Sequence, residues 1–347
     1  MPLLKTIHKI TSPILYKSGL YQRFWANQHR KSPFSFAVFY HRVITDHEHE
    51  SSSGFDIERG ISASDFERQM RFLVRHFTPV KASEIHINPH QKIQFSVTLD
   101  DGYEDNYRVA APILKKLGIP ATFYVVSDFV GTDRLFWWEQ VAQMMRESEC
   151  KELDITAIFS DLPTNDRSQK LLSLQSNADQ EIAYGQLCAL IRNGLNADIP
   201  SHLNAIADYL DVTARKEGRE FELMNWRQLN DLLSQGFEIG GHTASHINVV
   251  GAEKHLLVKE ITDSMKVIES HMNEPVKSFA YPYGLFDNNN CMVSDLLAQT
   301  NCKTAFTADQ GVINSSSNVY ELPRTKLNRA YDFACAFNIQ DTVLNSQ

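Results

Sequence analysis

Apolar positions along the chain fall into two kinds of run that take turns. Short, nearly continuous apolar stretches, bounded by glycine or polar turns, read as strands buried on both faces. They are FSFAVFYHRV (34–43), IQFSVTLDDG (93–102), PATFYVV (120–126), FEIGGH (237–242), VKSFAYPYG (276–284), KTAFTA (303–308) and ELPRTKLN (321–328). Between them the apolar positions recur with a helical period. In SASDFERQMRFLVRHF (62–77), Ser62 or Ser64 can cap a helix whose apolar face is Phe66, Met70, Leu73 and Phe77. YRVAAPILKKLGI, NWRQLNDLLSQG, the long AEKHLLVKEITDSMKVIESHM and VSDLLAQTNC read as further helices, two of them ending at Gly118 and Gly236. About seven strand–helix units predict an α/β fold with a parallel sheet, open or closed into an irregular barrel. Residues 136–222 break the alternation. They are helical and polar, carry no good strand pattern, and read as a helical insertion in a domain spanning 34–347.

In a parallel sheet of this kind the chemistry gathers at the C-terminal ends of the strands. Those ends carry Asp100-Asp101-Gly102, His242 and His246 of HTASH, Tyr40-His41, Tyr281 to Gly284 of YPYG, and Pro323-Arg324. Two histidines four apart and one carboxylate make a three-ligand set that suits a catalytic Zn²⁺ or a similar divalent metal. Adjacent aspartates cannot face the same way on a regular strand. At a strand end one can ligate a metal while the other accepts a proton from water, whose pKa a metal lowers from ~15.7 to roughly 7–9. Trp137, Trp138 and Tyr103 are candidates to stack on a ligand, although aromatics near strand ends more often belong to a core.

Charge and composition narrow the reading. The 347 residues are 43% hydrophobic and carry a net charge of −8, enough for a large core. Residues 1–45 hold seven Lys or Arg and no acid, so the rest of the chain carries −15. That acidic remainder argues against a nucleic-acid partner. Leu3, Leu4, Ile7, Ile10, Ile14 and Leu15 recur near helical spacing in the basic N-terminal segment, 1–33. Such a segment can lie on an anionic membrane surface through residues 1–30, or pack on the domain's own acidic surface, and both readings stay open. Five scattered cysteines without CxxC spacing predict free thiols in a reducing compartment. The first twenty residues lack a secretory pattern, so a cytoplasmic protein is expected, with peripheral contact at the inner membrane face if the basic segment binds lipid.

Taken in order, TLDDG, HTASH and AYPYG resemble the first three motifs of the polysaccharide deacetylases, the NodB-homology group of carbohydrate esterase family four. FYHRV, ATFYVV and LPRTK extend the likeness over about residues 34–330, apart from the insertion. The resemblance implies an irregular (β/α)7 barrel and metal-dependent hydrolysis of an N-acetyl group on an amino sugar of a glycan or its precursor. It implies Asp100 as general base, Asp101, His242 and His246 as metal ligands, most simply of Zn²⁺, and the backbone N–H of Tyr283 as an oxyanion donor. Thr243 stands where a Ser or Thr braces the loop between the histidines. Two positions depart from the pattern. Ala280 occupies the place of an arginine that pairs with the base, and Arg324 is the expected replacement. The late Leu-x-His motif that supplies an acid has no counterpart after residue 324. FYH resembles it moved to the front of the chain, as in circularly permuted members, which makes His41 the candidate acid. Rival readings are a small non-sugar amide as substrate, or a glycan-binding protein with a dead site.

Overall fold

The computed structural model describes residues 27, 29–30, 32–51, 55, 60–86, 92–159, 171–193, 199–216, 221–284 and 291–327. Most of the basic segment 1–33, and with it the membrane reading, lies outside the described residues. The chain divides into two compact units, one of residues 1–46, 61–131 and 223–347, the other of 47–60 and 132–222.

The first unit is built on one sheet. Its strands are β1 (Phe34–Tyr40), β2 (Thr78–Pro79), β3 (Gln94–Leu99), β4 (Thr122–Val125), β5 (Glu238–Gly241), β6 (Ser278–Ala280), β7 (Thr304–Phe306), β8 (Ile313–Asn314) and β9 (Arg324–Lys326). They run in the order β7-β6-β5-β4-β3-β1-β8, with β9 also paired to β1 and β2 to β3. Only the β1–β8 pair is antiparallel. A parallel bridge joins Phe306 of β7 to Leu322, two residues before β9, which itself pairs with β1. One short segment thus touches strands far apart in the order, and the sheet curls into a mixed α/β half-barrel.

Parity along the strands explains the continuous apolar runs. Phe36, Val38 and Tyr40 of β1 join Phe95, Val97 and Leu99 of β3 in the large core, together with Phe66, Met70 and Leu73 of the helix Ala63–His76. The alternate positions Ala37, Tyr124, Ala280 and Phe306 form a smaller cluster on the inner face. A sheet covered on both faces needs apolar residues at both parities. Gly240 leaves room there for Tyr124, because a Cβ at Gly240 would lie 2.3 Å from the tyrosine ring.

At the N-terminal ends of the strands the inner face turns polar. The buried Glu238 carboxylate accepts hydrogen bonds from the Ser83 N–H (3.3 Å) and hydroxyl, from Thr122 Oγ1 (3.1 Å) and from Ser278 Oγ (2.6 Å). Thr122 Oγ1 in turn accepts from the Ala82 N–H at 3.0 Å, and Thr304 Oγ1 donates to the Ala82 carbonyl at 3.1 Å. Every donor that points at Glu238 is itself on a strand start or on the turn Ala82–Glu84.

Caps set the helices where the sequence places them. Ser62 accepts from the Asp65 N–H, and Asn225 forms a capping box with Gln228 ahead of Trp226–Ser234. Two helices contain a π-helical turn, Asn106–Ala110 before Ala111–Leu117 and Val258–Asp263 before Ser264–Met272. Such turns recur near functional sites.

The second unit holds the helices Trp137–Glu147, Asn177–Asn193 and Ile199–Leu210. It also contains an antiparallel pair, Glu152–Asp154 with Leu171–Ser173, which corrects the expectation of a stretch without strands. Three residues are too few to print a period of two. Trp137 and Trp138 are buried, and Trp138 stacks on Phe136 with ring centroids 4.5 Å apart, so both serve the unit's own core. Tyr103, in the first unit, is fully buried as well, with the Arg42 guanidinium over its ring. Cys150, Cys188 and Cys302 are free thiols. Among the described residues no helix is long and apolar enough to cross a membrane.

Candidate metal centre and active site

The site grows out of the inner rows of the strands. On β3 the inner row is Ser96 and Thr98, and Asp100 continues it one step past the strand end. On β5 the row Glu238, Gly240 continues to His242 in the same way. A regular strand would turn Asp101 to the opposite face. Instead Asp101 takes φ 75° and Gly102 φ 82°, and this left-handed pair swings the second carboxylate back to the site. Gly102 also has little room for a side chain, since a Cβ there would meet Val125 Cγ1 at 3.3 Å.

Left-handed backbone is concentrated here. Of the six described non-glycine residues with positive φ, four are Asp101, Thr243, His246 and Tyr283. Each such residue costs on the order of 1–3 kcal/mol and persists only where its surroundings hold it. For the HTASH loop the restraint is visible. Thr243 Oγ1 accepts the His246 N–H at 2.9 Å. Glu260, buried in the π-helical turn, accepts the Ala244 N–H (3.0 Å), the Ser245 N–H (2.8 Å) and the Ser245 hydroxyl (2.8 Å). From the other side, the Ser127 and Asp128 N–H groups donate to the Thr243 and Ala244 carbonyls.

The result is a buried group of three donors. His242 Nε2 lies 3.4 Å and His246 Nε2 3.3 Å from Asp101 Oδ1, and the ligand atoms of the three residues all lie within 4.8 Å of one another. Among the described residues no other cluster of His, Cys, Asp or Glu meets that condition. His242 donates its Nδ1 hydrogen to the Ala280 carbonyl at 2.7 Å, which fixes the tautomer and leaves the Nε2 lone pair facing Asp101. Asp101 Oδ1 is buried and accepts no hydrogen bond from a described residue. An oxygen so placed, with two imidazole nitrogens beside it, fits a divalent cation, for which one carboxylate and two imidazoles are a suitable donor set.

The charges are consistent with that use. Burial favours a protonated Asp101, but the adjoining His242 and His246 rings, helped by His41, hold its carboxyl well below the usual range. Burial lowers the pKa of His246 against the pull of Asp101, which keeps its imidazole neutral. Burial likewise works to raise Asp100, and the Arg324 guanidinium, together with His242 and His41, outweighs it, so Asp100 is ionised to lower pH than an ordinary aspartate.

Arg324, 1% exposed, donates from Nη1 to Asp100 Oδ1 at 2.8 Å and to Thr98 Oγ1 at 3.1 Å, and from Nε to the Thr307 carbonyl at 2.8 Å. Its guanidinium carbon stands 4.5 Å from the centre of the Phe39 ring. The β1–β9 register opposite Ala37 sets this position, two strands away from Asp100. His41 follows β1 directly and is half-buried, with its ring edge-on to Phe39 at 5.8 Å. It is close enough to bear on the charge of Asp100, Asp101 and His246, yet it stands outside the three-donor cluster. Tyr283 sits at φ 60° in the turn Pro282–Gly284, with its ring edge-on to His246 at 4.8 Å and its hydroxyl directed to the His246 carbonyl at 3.4 Å. Gly284 (φ 69°) is required behind it, since a Cβ would collide with Ala308 at 2.1 Å.

The structure therefore brings Asp100, Asp101, His242, His246, His41 and Tyr283 to one end of the sheet, whereas Arg324, expected at a strand end, is the first residue of β9 and reaches Asp100 through its long side chain. Glu260 was missed by sequence reasoning, because it lies fourteen residues past His246 inside an ordinary helical pattern. Nor did sequence reasoning mark the Ala280 carbonyl, since a main-chain atom has no residue signature.

Comparison with known proteins gives the family and the fold. The sequence model of the polysaccharide deacetylases matches residues 88–172 and 201–302, more than half of the chain. The Bacillus subtilis protein YxkH is 33% identical over 103 residues, which cover 28% of this chain and 36% of YxkH. The poly-beta-1,6-N-acetyl-D-glucosamine N-deacetylase of Staphylococcus aureus is 20% identical over 305 residues, covering 85% of this chain and 79% of that protein. In fold, the Streptococcus pyogenes deacetylase PplD superposes with a TM-score of 0.52 at 14% identity, covering 90% of this chain and 98% of PplD. IcaB from Ammonifex degensii superposes with a TM-score of 0.51 at 17% identity over 86% and 93% of the two chains. Motif order, the arrangement of the strand ends and the matched span agree, and the chain belongs to the polysaccharide deacetylase family.

Proposed function

We propose that this protein is a metal-dependent N-deacetylase of an N-acetylated amino-sugar polymer. The observation that carries the proposal is the buried Asp101–His242–His246 group with an arginine-paired carboxylate, Asp100, beside it. The Staphylococcus aureus relative, named for a poly-N-acetylglucosamine, supports a glycan of that kind as substrate. Two imidazoles and one carboxylate suit Zn²⁺, with room left for water and an acyl oxygen. We read the curled sheet as the irregular (β/α)7 barrel, with the site at the C-terminal ends of its strands.

Asp101, His242 and His246 would hold the metal, which would supply a Lewis-acidic centre able to acidify water and polarise the acetyl carbonyl. Asp100, kept ionised by Arg324, takes the proton from the attacking water. The Tyr283 N–H donates to the acetyl oxygen as negative charge gathers on it, a contribution of ~3 kcal/mol. His41 gives a proton to the departing amine nitrogen, because a C–N bond breaks poorly while nitrogen would leave as an anion.

Acetate release from N-acetylglucosamine oligomers, with and without chelator, tests the activity. Asp100→Asn is expected to keep its metal and lose roughly 10²–10⁴-fold in turnover. If Asp100→Asn sheds metal while Asp101→Asn retains it, the two aspartates have exchanged roles.

A further inference from the structure

The proposed acid, His41, lies in the turn between β1 and the short strand Val43–Ile44, and four consecutive residues of that turn are tied to one segment. The Tyr40 carbonyl accepts the Asp100 N–H at 2.9 Å. The His41 carbonyl accepts Asn106 Nδ2 at 2.9 Å. Arg42 Nε donates to Asp105 Oδ2 at 2.7 Å, and the Val43 N–H to Asp105 Oδ1 at 3.0 Å. Asp105 and Asn106 are both buried, and Asn106 opens the π-helical turn that follows the Asp100-Asp101 loop. Arg42 is held on a second side by the Tyr103 ring, 5.2 Å from its guanidinium carbon. Buried polar side chains spent on the main chain of a neighbouring loop fix that loop's position.

We propose that Asn106 and Asp105 are positioning residues for His41. They hold the acid's backbone to the same loop that carries the base and the metal-ligating aspartate, so acid and base keep one spacing. The placement uses the adjacent pair Asp105 and Asn106: the amide clamps the residue that carries the imidazole, and the carboxylate clamps the two residues after it. A displacement of about 1 Å in a catalytic group costs on the order of 10²-fold in rate, so the clamp acts on turnover without touching substrate.

This inference rests on His41 being the leaving-group acid, and a pair of substrates separates the two ideas. An N-acetyl amine needs its nitrogen protonated to leave, whereas 4-nitrophenyl acetate releases a stable phenolate without that help. In the metal-loaded full chain, His41→Ala is expected to lose about 10²-fold on the N-acetylated oligomer and less than about threefold on the aryl ester. Asn106→Asp, which keeps the side-chain skeleton and removes the Nδ2 donor, should show the same split at about 10-fold, with metal content unchanged. Asp105→Asn should show it as well. A split in His41→Ala that is absent from both neighbouring variants overturns the clamp and leaves the acid assignment standing. No split in His41→Ala removes the acid assignment and the clamp with it. Equal losses on both substrates, loss of metal, or failure of both variants to fold also count against the proposal, because the bonds would then hold the domain and not the acid.

Discussion

Glu238 and Asp101 are buried carboxylates at opposite ends of the same sheet, and their surroundings differ in kind. Glu238, at a strand start, receives hydrogen bonds from three hydroxyls and a main-chain N–H. Asp101, just beyond a strand end, has an oxygen that receives none and faces two imidazole nitrogens. Its backbone is left-handed, while Glu238 lies in regular strand. A buried acid whose acceptors are all filled is part of the architecture; one left open, in costly backbone held from several sides, is set aside for a ligand. Both are buried acids, so the hydrogen-bond inventory is what tells them apart.

The largest test of that contrast falls on the open end. His246→Ala removes one of the three proposed ligands, and bound metal measured by elemental analysis should drop well below one per chain. Acetate release should fall by about 10³-fold or more, since the lost charge stabilisation amounts to several kcal/mol. Full metal occupancy in this variant would sink the ligand assignment.

A middle-sized effect is expected at the arginine between base and sheet. Arg324→Met takes away the cation that does most to offset burial at Asp100, so the Asp100 pKa should rise. The base is then protonated over a wider acid range. The acid limb of kcat/KM should move to higher pH, and turnover near neutrality should fall by roughly 10–100-fold. The linkage has the same sign for stability. Because folding lowers the Asp100 pKa, the pairing contributes stability above the ordinary carboxylate range, and this is lost as pH falls through the lowered value. An unchanged acid limb would show that some other group sets it.

The smallest effect on chemistry is predicted at the filled end. Glu238→Ala strands the hydroxyls of Ser83, Thr122 and Ser278, each costing about 1–3 kcal/mol if it finds no other acceptor. Thermal unfolding should come roughly 4 °C earlier for a net loss of about 3 kcal/mol. Metal content and turnover of the folded protein should stay within about twofold of wild type. A variant that keeps its melting temperature but loses metal would erase the distinction between the two ends.

How much of this was legible in the sequence follows from which signals are local. The seven long apolar runs announced strands because both parities are buried, and each contains an observed strand. Two-residue strands such as β2 and β8, and the three-residue pair in the second unit, carry no period to read. Asp100, Asp101, His242 and His246 stood out because each lies at the end of such a run. Arg324 was reached only by asking what could replace the cation missing at Ala280, and the structure places its guanidinium 2.8 Å from Asp100. Glu260 and Glu238 were invisible, since an acid in a helix or at a strand start looks solvated until the fold surrounds it. Asp105 and Asn106 lay within a stretch whose two leading aspartates drew the attention, and their partners are more than sixty residues away in sequence.

The Arg324–Asp100 bond spans 224 residues and has a bearing on the order in which the chain assembles. During synthesis Asp100 emerges long before the residue that neutralises it. Until β9 docks against β1, a compact intermediate that buries the Asp100 position must take up a proton there or stay locally open, since a lone ionised carboxylate is expensive to bury. Contacts of such separation also form slowly. Docking of β9 is then expected late in refolding, with release of a proton wherever the intermediate has taken one up at Asp100.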